Sequence, residues 1–356
     1  MTYAAKRLGT ACIIYMAAVM VAAPTACISA AADALKICAE VVIPSLFPFI
    51  FCGNMFVALG AAELLSRYLS KLMQPLFGVT GAGALAFLLG ITSGYPIGAV
   101  CAANLYTSGE CTKSEAERLL AFCNNSGPMF IIGVIGVGIM GSHRLGILLY
   151  ITHIFSAIIC GIIFKGWGRG EKKNILPPSR AEREIKNAAL DIGAAVCKSV
   201  DTMLMICGFI VIFAVLVAAL PETPYKNIFY CFLEITGGLK RLLSSGSIAL
   251  LPIAAFFTAL SGVSVLFQVM AVTAPSGLSI KPYIIGKAVQ ASVSFVLTYA
   301  AIRLTPSAAP VFAPMLQIPY ISPKGLLCIS MISLGYTAVL AVVIAIVCKL
   351  FDHYIK

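Results

Sequence analysis

Long apolar runs separated by short polar breaks dominate the sequence. A run of about 20 apolar residues is long enough to cross a bilayer as a helix. The pattern predicts seven spans, at about 9–31, 37–60, 116–141, 143–166, 195–220, 282–303 and 326–349. Two further apolar segments, about 81–106 and 247–274, are interrupted by glycine, serine and proline. We therefore predict an all-α polytopic membrane protein.

The composition agrees with this fold class. Of 356 residues, 60% are hydrophobic and 11% are charged, whereas a soluble domain has about 25% charged residues. Loop lysines and arginines that set topology explain the net charge of +11 without a nucleic-acid partner, and attraction to an anionic solute is the alternative. The 13 cysteines and three histidines form no ligand-like cluster, so we expect no metal, no cofactor and no enzymatic activity.

Charge and sequence breaks divide the chain into five parts. They are an N-terminal membrane helix at 1–34, a first repeat at 35–166, a basic cytoplasmic linker at 167–194, a second, inverted repeat at 195–303, and a loop with a C-terminal membrane helix at 304–356. The first part also resembles a secretory signal peptide, although an uncut helix is the favoured interpretation.

The distribution of positive charge predicts a topology. Lys6, Arg7 and the basic linker indicate that both the N-terminus and the linker are cytoplasmic. An even number of crossings must separate them, which makes 81–106 a re-entrant hairpin and not a full span. The same count places the C-terminus, with Lys349 and Lys356, outside, and we leave the orientation of that end open.

Short polar motifs recur along the chain with one offset. Ser93-Gly94 and Ser108-Gly109 reappear 168 positions later as Ser261-Gly262 and Ser276-Gly277, and Lys113 reappears as Lys281. The crossing count predicts two re-entrant hairpins on opposite sides of the membrane, the first at 81–106 on the cytoplasmic side and the second at 247–274 on the outer side. Inverted repeats with interrupted helices are typical of secondary transporters, whose site lies near the bilayer midplane.

The segment FCNNSGPMF interrupts one predicted span. Proline clashes with a preceding helical turn but is tolerated at the start of a helix. One half-helix should therefore end near Phe122 and another begin at Pro128, with Ser126 or Gly127 as its N-cap. The exposed N–H groups and positive dipole of such a helix start favour carboxylate or phosphate.

The segment GITSGYPIG repeats this design, with Pro96 opening a half-helix and Ser93, Gly94 or Tyr95 at its cap. Two helix starts that converge make an anion site. The alternative is that both breaks are proline kinks packed against their neighbours. The first-repeat candidates for solute binding are the groups of the two breaks: Ser93, Gly94, Tyr95, Pro96, Asn124, Asn125, Ser126 and Gly127.

The second repeat has weaker sequence signals for a helix break, because its segment ALSGVSVLFQ has no proline. Its candidates are Ser261, Gly262, Ser264 and Gln268, followed on the next helix by Lys287, Gln290 and Ser294. Spacings of three and four residues place the last three on one helix face. A lysine at this depth faces a cavity or extends to the interface, and both interpretations stay open.

Other charged positions have local explanations. Glu40 and Asp201 are candidates for carrying a coupling proton, although pairing with Lys36 and Lys198, one turn earlier, is favoured. Asp201 is taken as the acid that lies clearly within an apolar segment of the second half. The segment TSGECTKSEAERLL is interpreted as a helix start, with a cap at 112 or 114 and glutamates in the first turn.

The segments LGITSGYPIGA and SGECTKSEAERLLAFCNNSGPMFIIGVIGVGIMG resemble the YlbJ-type sporulation integral membrane proteins, within the nucleoside-recognition Gate group. The match is strongest over residues 85–141. This resemblance implies a fold related to concentrative nucleoside transporters. It also implies a location in the outer forespore membrane and a role in moving dipicolinate, a flat pyridine dicarboxylate. Helix starts, amides and a lysine suit such a dianion, and Tyr95 suits its ring.

The sequence is compatible with three functions. The leading expectation is transport of a small anionic solute, with dipicolinate first. The alternatives are transport of a nucleoside-like solute and a non-transporting scaffold or gating role in sporulation. The expected partners are the solute and the lipid bilayer, without nucleic acid, and a homo-oligomer is compatible with the sequence.

Overall fold

The computed structural model describes residues 3–59, 61–168, 192–218 and 226–304, and within them all regular structure is helical. Two helices, π1 and π2, have hydrogen bonds with π-type spacing, and three short 3₁₀ turns complete the set. The helices are α1 (Tyr3–Ala22), α2 (Pro24–Ile37), π1 (Cys38–Val42), α3 (Ile43–Ala58), α4 (Ala61–Phe77), α5 (Gly83–Ser93), α6 (Ile97–Thr107), α7 (Lys113–Phe122), π2 (Met129–Ile139), α8 (His143–Ile163), α9 (Ile192–Ala218), α10 (Lys226–Leu233), α11 (Ile235–Leu242), α12 (Leu251–Leu260), α13 (Gly262–Thr273) and α14 (Lys281–Leu304).

Helices of membrane-spanning length confirm a multi-pass membrane protein. In the described part of the chain, four helices are long and apolar enough to cross, or five if one bent pair counts as a span. They are His143–Gly166, Ile192–Ala218, Ile248–Ser276 and Lys281–Leu304. The predicted span at 326–349 and most of the basic linker lie outside the described residues.

The first predicted span, 9–31, is wrong as a single helix. The chain bends by 108° between Ile13–Ala22 and Pro24–Glu40. Pro24 has no N–H to bond to the preceding turn and clashes with it, so α1 ends at Ala22 and α2 begins at the proline. The apolar run alone did not reveal this corner.

The hairpin predicted at 81–106 is confirmed as a helical hairpin. The turn contains Gly94 with a positive φ of 97°, and after it α6 runs back along α5. A Cβ on Gly90 would lie 3.4 Å from the Cα of Gly98, and a Cβ on either glycine would meet the carbonyl of Cys123. The predicted caps among residues 93–95 are wrong, because Pro96 itself is the N-cap of α6.

The second hairpin, predicted at 247–274, is wrong. Residues Ile248–Ser276 form one 29-residue helix, kinked where Ser261 takes a left-handed φ of 71°. Without a proline, the Ser261 N–H still donates to the carbonyl of Phe257 at 2.9 Å, so the helix continues. The predicted topology therefore gains one crossing.

The fold-back in the second half lies instead at residues 226–242. Helices α10 and α11 are joined by Glu234 alone, whose backbone is extended at φ −140° and ψ 115°. The backbone of Gly238 packs directly against that of Cys231. This approach requires a glycine and shows that the two short helices form a tight hairpin.

The 168-residue offset extends to the helix boundaries. Gly83 and Leu251, which begin α5 and α12, are 168 positions apart, and so are Lys113 and Lys281, which begin α7 and α14. The offset therefore holds at the starts of two pairs of helices, α5 with α12 and α7 with α14. The inverted relation of the repeats, and the likeness to concentrative nucleoside transporters, stay predictions.

The start of α7 agrees with the sequence. The Thr112 hydroxyl accepts the Glu115 N–H at 3.3 Å, and the Glu115 carboxylate accepts the Thr112 N–H at 2.8 Å, which is a capping box. Glu117 is buried, and its carboxylate accepts the N–H of Ser279, before α14. This bond fixes α7 against the second half.

Replacing Gly98 by alanine tests the close packing of the first hairpin. We expect a loss of about 1–3 kcal/mol in the free energy of unfolding, because the added methyl meets backbone atoms of Cys123 that a rotamer change cannot move. Denaturant titration in detergent micelles measures this. The control is Gly208→Ala in α9, where a Cβ meets nothing within 4 Å. Equal stability of the two variants would contradict the packing.

Candidate functional site

The break in FCNNSGPMF lies at the centre of the described helices. Helix α7 ends at Phe122 as predicted, and π2 begins at Met129, with Pro128 as its N-cap. Within the described chain, no side chain caps this helix, but the Gly127 carbonyl accepts its first N–H bonds, from Phe130 and Ile131, as expected for a cap at Gly127. Pro128 already has helical φ and ψ, so the second half-helix starts within a residue of the predicted position.

The two breaks of the first half touch each other. A Cβ on Gly127 would lie 2.9 Å from the carbonyl oxygen of Ser93, and one on Gly94 would lie 3.0 Å from the nitrogen of Gly127. Glycine at both positions therefore allows backbone-to-backbone contact. The Ser126 hydroxyl donates to the Tyr95 hydroxyl at 3.0 Å and joins the breaks through side chains as well.

A histidine that the sequence did not single out holds the break from the other side. The Ser126 N–H donates to His153 Nε2 at 3.1 Å, and the histidine is 1% exposed. Its Nε2 is therefore an acceptor and its Nδ1 carries the proton of the neutral ring. A lone histidine in an apolar span was the one signal in the sequence, and it does not specify this role.

A chain of buried polar groups connects α14 to the same break. The Lys287 ammonium donates to Gln290 Oε1 at 2.7 Å, and Gln290 Nε2 donates to Asn125 Oδ1 at 2.7 Å. Asn125 Nδ2 in turn donates to the carbonyl of Phe122 at 2.7 Å, which satisfies the end of α7. Asn125 therefore holds the break open through its hydrogen bonds within the protein.

Lys287 is 2% exposed and lies among buried groups. Among the described residues, its hydrogen-bond partner is Gln290 and no carboxylate forms an ion pair with it. Burying a charge without a counter-ion is costly. The site thus keeps a lysine whose charge nothing in the described part of the chain neutralises.

A cavity of about 100 Å³ lies beside the touching breaks. One water needs roughly 10–15 Å³ on this measure, so the space admits a small solute. Seven predicted residues line it: Ser93, Gly94, Tyr95, Ser126, Gly127, Ser264 and Gln268. The other eight lie off its wall, and their binding role stays a prediction: Pro96, Asn124, Asn125, Ser261, Gly262, Lys287, Gln290 and Ser294.

Some buried polar atoms near the cavity have no hydrogen bond of ordinary geometry to the described residues. They include the Ser93 hydroxyl, which lines the cavity, and the Asn124 amide. Asn124 lies near the Tyr283 hydroxyl, which is itself bonded to Ser261 at 2.8 Å. An unpaired polar atom in an apolar interior favours a polar ligand.

Within the described residues, the acid on the cavity wall is Glu234, which is not among the site residues predicted from the sequence. Glu234 lies at the tip of the α10–α11 hairpin, and its carboxylate accepts the N–H groups of Thr236 at 2.9 Å and Gly237 at 2.7 Å. Asp201, taken as the acid within an apolar segment of the second half, is exposed on α9. The signal for Glu234 was a single acid between apolar residues in YCFLEITGG.

The favoured local pairing is found for one of the other acids. The Lys36 ammonium and the Glu40 carboxylate are 4.0 Å apart, and both are exposed. Lys198 donates to Asn104 at 3.2 Å, and the pairing of Lys198 with Asp201 stays a prediction. Glu40 and Asp201 both lie off the cavity wall.

Comparison with curated proteins identifies a relative of this chain. The sporulation integral membrane protein YlbJ of Bacillus subtilis (strain 168) is 30% identical over 318 residues, which cover 78% of each chain. The chain belongs to the YlbJ family of sporulation integral membrane proteins. No family model matches the sequence, and no solved structure matches the fold. The predicted YlbJ-type resemblance of the chain is thereby confirmed.

Replacing Gln290 tests the polar chain in this YlbJ family member. Gln290→Ala leaves both the Lys287 ammonium and the Asn125 carbonyl oxygen without partners, so we expect a loss of about 1–3 kcal/mol in the free energy of unfolding. The measurement is denaturant titration in micelles. Ser292→Ala, on the same helix with a bond only to its own backbone, should change stability by less than about 0.5 kcal/mol. A neutral Gln290→Ala would refute the chain.

Proposed function

We propose that this chain transports a small solute across a membrane during sporulation, with dipicolinate as the first candidate. The observation that carries the proposal is the cavity between the break at 94–96, the break at 123–128 and the α10–α11 tip, whose largely apolar lining carries a few polar groups. Irregular backbone at membrane depth is tolerated where it lines protein or a wet cavity. A transport site supplies a reason for retaining these interruptions in an apolar chain.

The chemistry of the wall favours a flat ring with polar substituents. Tyr95 brings an aromatic ring, and the Ser93 hydroxyl is unpaired within the described residues. Gln268 brings an amide that donates weakly to Ser264 at 3.5 Å. A solute with ring and carboxylate groups would stack on the first and accept hydrogen bonds from the others.

The buried lysine supports an anion. Lys287 is linked to the cavity through Gln290 and Asn125, whose neighbour Ser126 lies on the wall. Its positive charge lies in a region of low dielectric, where electrostatic attraction is stronger than in water. An anionic solute would supply the missing counter-charge.

A nucleoside-like solute is the second candidate. Glu234 lines the cavity, and the described lining includes no basic side chain. Hydroxyls, an amide and a carboxylate are suited to the ribose and base of an uncharged nucleoside. Accumulation of each labelled solute separates these candidates.

Uptake into vesicles tests the proposal. Purified protein in liposomes should accumulate labelled dipicolinate, and Gln268→Leu should reduce uptake roughly tenfold or more, because a binding group is lost from the wall. The matched control is Thr202→Val on α9, whose hydroxyl bonds to its own helix and lies off the cavity. Accumulation of labelled uridine, without accumulation of labelled dipicolinate, would favour the nucleoside-like solute.

The scaffold alternative has a separate outcome in the same assay. Correctly inserted protein without uptake of either solute would contradict transport and favour a non-transporting role in sporulation. In that case the polar wall should tolerate Gln268→Leu without a sporulation defect. Wild-type uptake that Gln268→Leu leaves unchanged would contradict this cavity as the site.

A further inference from the structure

We infer that Glu234 is the group that couples solute movement to a proton: it is protonated when an anionic solute occupies the cavity. This inference rests on the proposed transport function and deepens it. Glu234 is the acidic side chain on the cavity wall within the described residues, at the tip of a hairpin that the sequence did not predict.

The first step of the argument is electrostatic. A carboxylate on the wall repels a carboxylate of the solute, and in a site of low dielectric the repulsion is much stronger than in water. Among the described residues, no basic side chain lines the cavity to offset it. A proton on Glu234 removes the repulsion, so anion binding and protonation favour each other.

The second step is the exchange of hydrogen-bond partners. Both Glu234 oxygens are acceptors, one for the Thr236 N–H and one for the Gly237 N–H. A protonated carboxyl has one oxygen that donates, so it retains one of these N–H groups as a good partner and releases the other. Thr236 lies on the cavity wall, where a solute carboxylate can accept the released N–H at the helix start.

The balance of this step is simple. One proton from the solution on the uptake side binds a Glu234 oxygen as the solute enters, and it leaves to the solution on the other side as the solute departs. No covalent bond forms between protein and solute. A dianion accompanied by one proton carries a net charge of −1 across the membrane.

Other titratable groups lie near Glu234. Cys38 on π1, Tyr95 in the first hairpin and Cys231 on α10 are close enough to sense its charge. Helix α11, which Glu234 caps, carries Lys240 and Arg241 in its last turn. In model peptides the pKa of a cysteine thiol is about 8.5 and that of a tyrosine phenol about 10, whereas the pKa of a glutamate carboxyl is about 4.3. Among these side-chain types, a carboxyl is therefore the strongest acid.

The hairpin geometry shows which helices a change in the protonation of Glu234 would affect. Glu234 is the single residue between α10 and α11, and its carboxylate fixes the first turn of α11. The backbone carbonyls of Phe232 and Cys231 lie against Gly262, at the kink of the α12–α13 span. A change in the cap is thus adjacent to the α10–α11 turn and to the kink of the α12–α13 span.

The experiment compares accumulation with exchange in liposomes that contain the full chain and labelled dipicolinate. Wild-type accumulation should rise by up to about tenfold per unit of imposed pH gradient, acid outside, as expected for one proton. Glu234→Gln should exchange solute at equal pH but lose the stimulation by the gradient. Glu234→Asp, which keeps a carboxyl, should restore it.

The controls separate this inference from the proposed function. Glu40→Gln and Asp201→Asn alter acids away from the cavity and should leave the stimulation intact. Glu234→Gln that still responds to the gradient would overturn the inference while leaving transport in place. Loss of exchange in both Glu234 variants, with wild-type stability, would also overturn it, whereas wild-type protein without any uptake would refute the transport proposal itself.

Discussion

The need to satisfy backbone hydrogen-bonding groups away from water is the constraint on which this structure depends. The chain leaves helical geometry between Phe122 and Met129 in an apolar interior, where an unpaired N–H or carbonyl is costly. Asn125 accordingly bonds to the Phe122 carbonyl, and His153 accepts the Ser126 N–H. Gln290 then orients Asn125 from α14. The break persists because three separate elements provide partners for it.

The cavity follows from the same constraint. Two interrupted helices can approach at backbone distance only where side chains are absent, and Gly94 and Gly127 provide that contact. The side chains on either side of the contact then face outward, which leaves a space lined by Ser93, Tyr95 and Ser126. Polar residues in the breaks therefore divide into two groups. Asn125 supports the fold, while the Ser93 hydroxyl is available to a ligand.

The second half has two helix starts at the same 168-residue offset but solves the problem differently. At this offset the broken α7–π2 segment corresponds to the continuous helix α14, in which Lys287 and Gln290 correspond to Leu119 and Phe122, just before the break of the first half. Its hairpin is at Glu234, upstream of the segment that matches the first hairpin. The cavity consequently has unlike walls, with helix breaks on one side and an acidic hairpin tip on the other.

Much of the site was encoded in local sequence, and the remainder was not. The prolines at 96 and 128 and the capping box at Thr112 determined the break positions, the first hairpin and the start of α7 within a residue, because such signals act within one helical turn. The sequence alone also determined the membrane class and the 168-residue repeat. Only the tertiary structure decided that Asn125 pairs with Gln290, that His153 supports Ser126, and that the second fold-back lies at Glu234. These depend on contacts between residues far apart in the chain, and a pattern of hydrophobicity carries no information about which distant groups will meet.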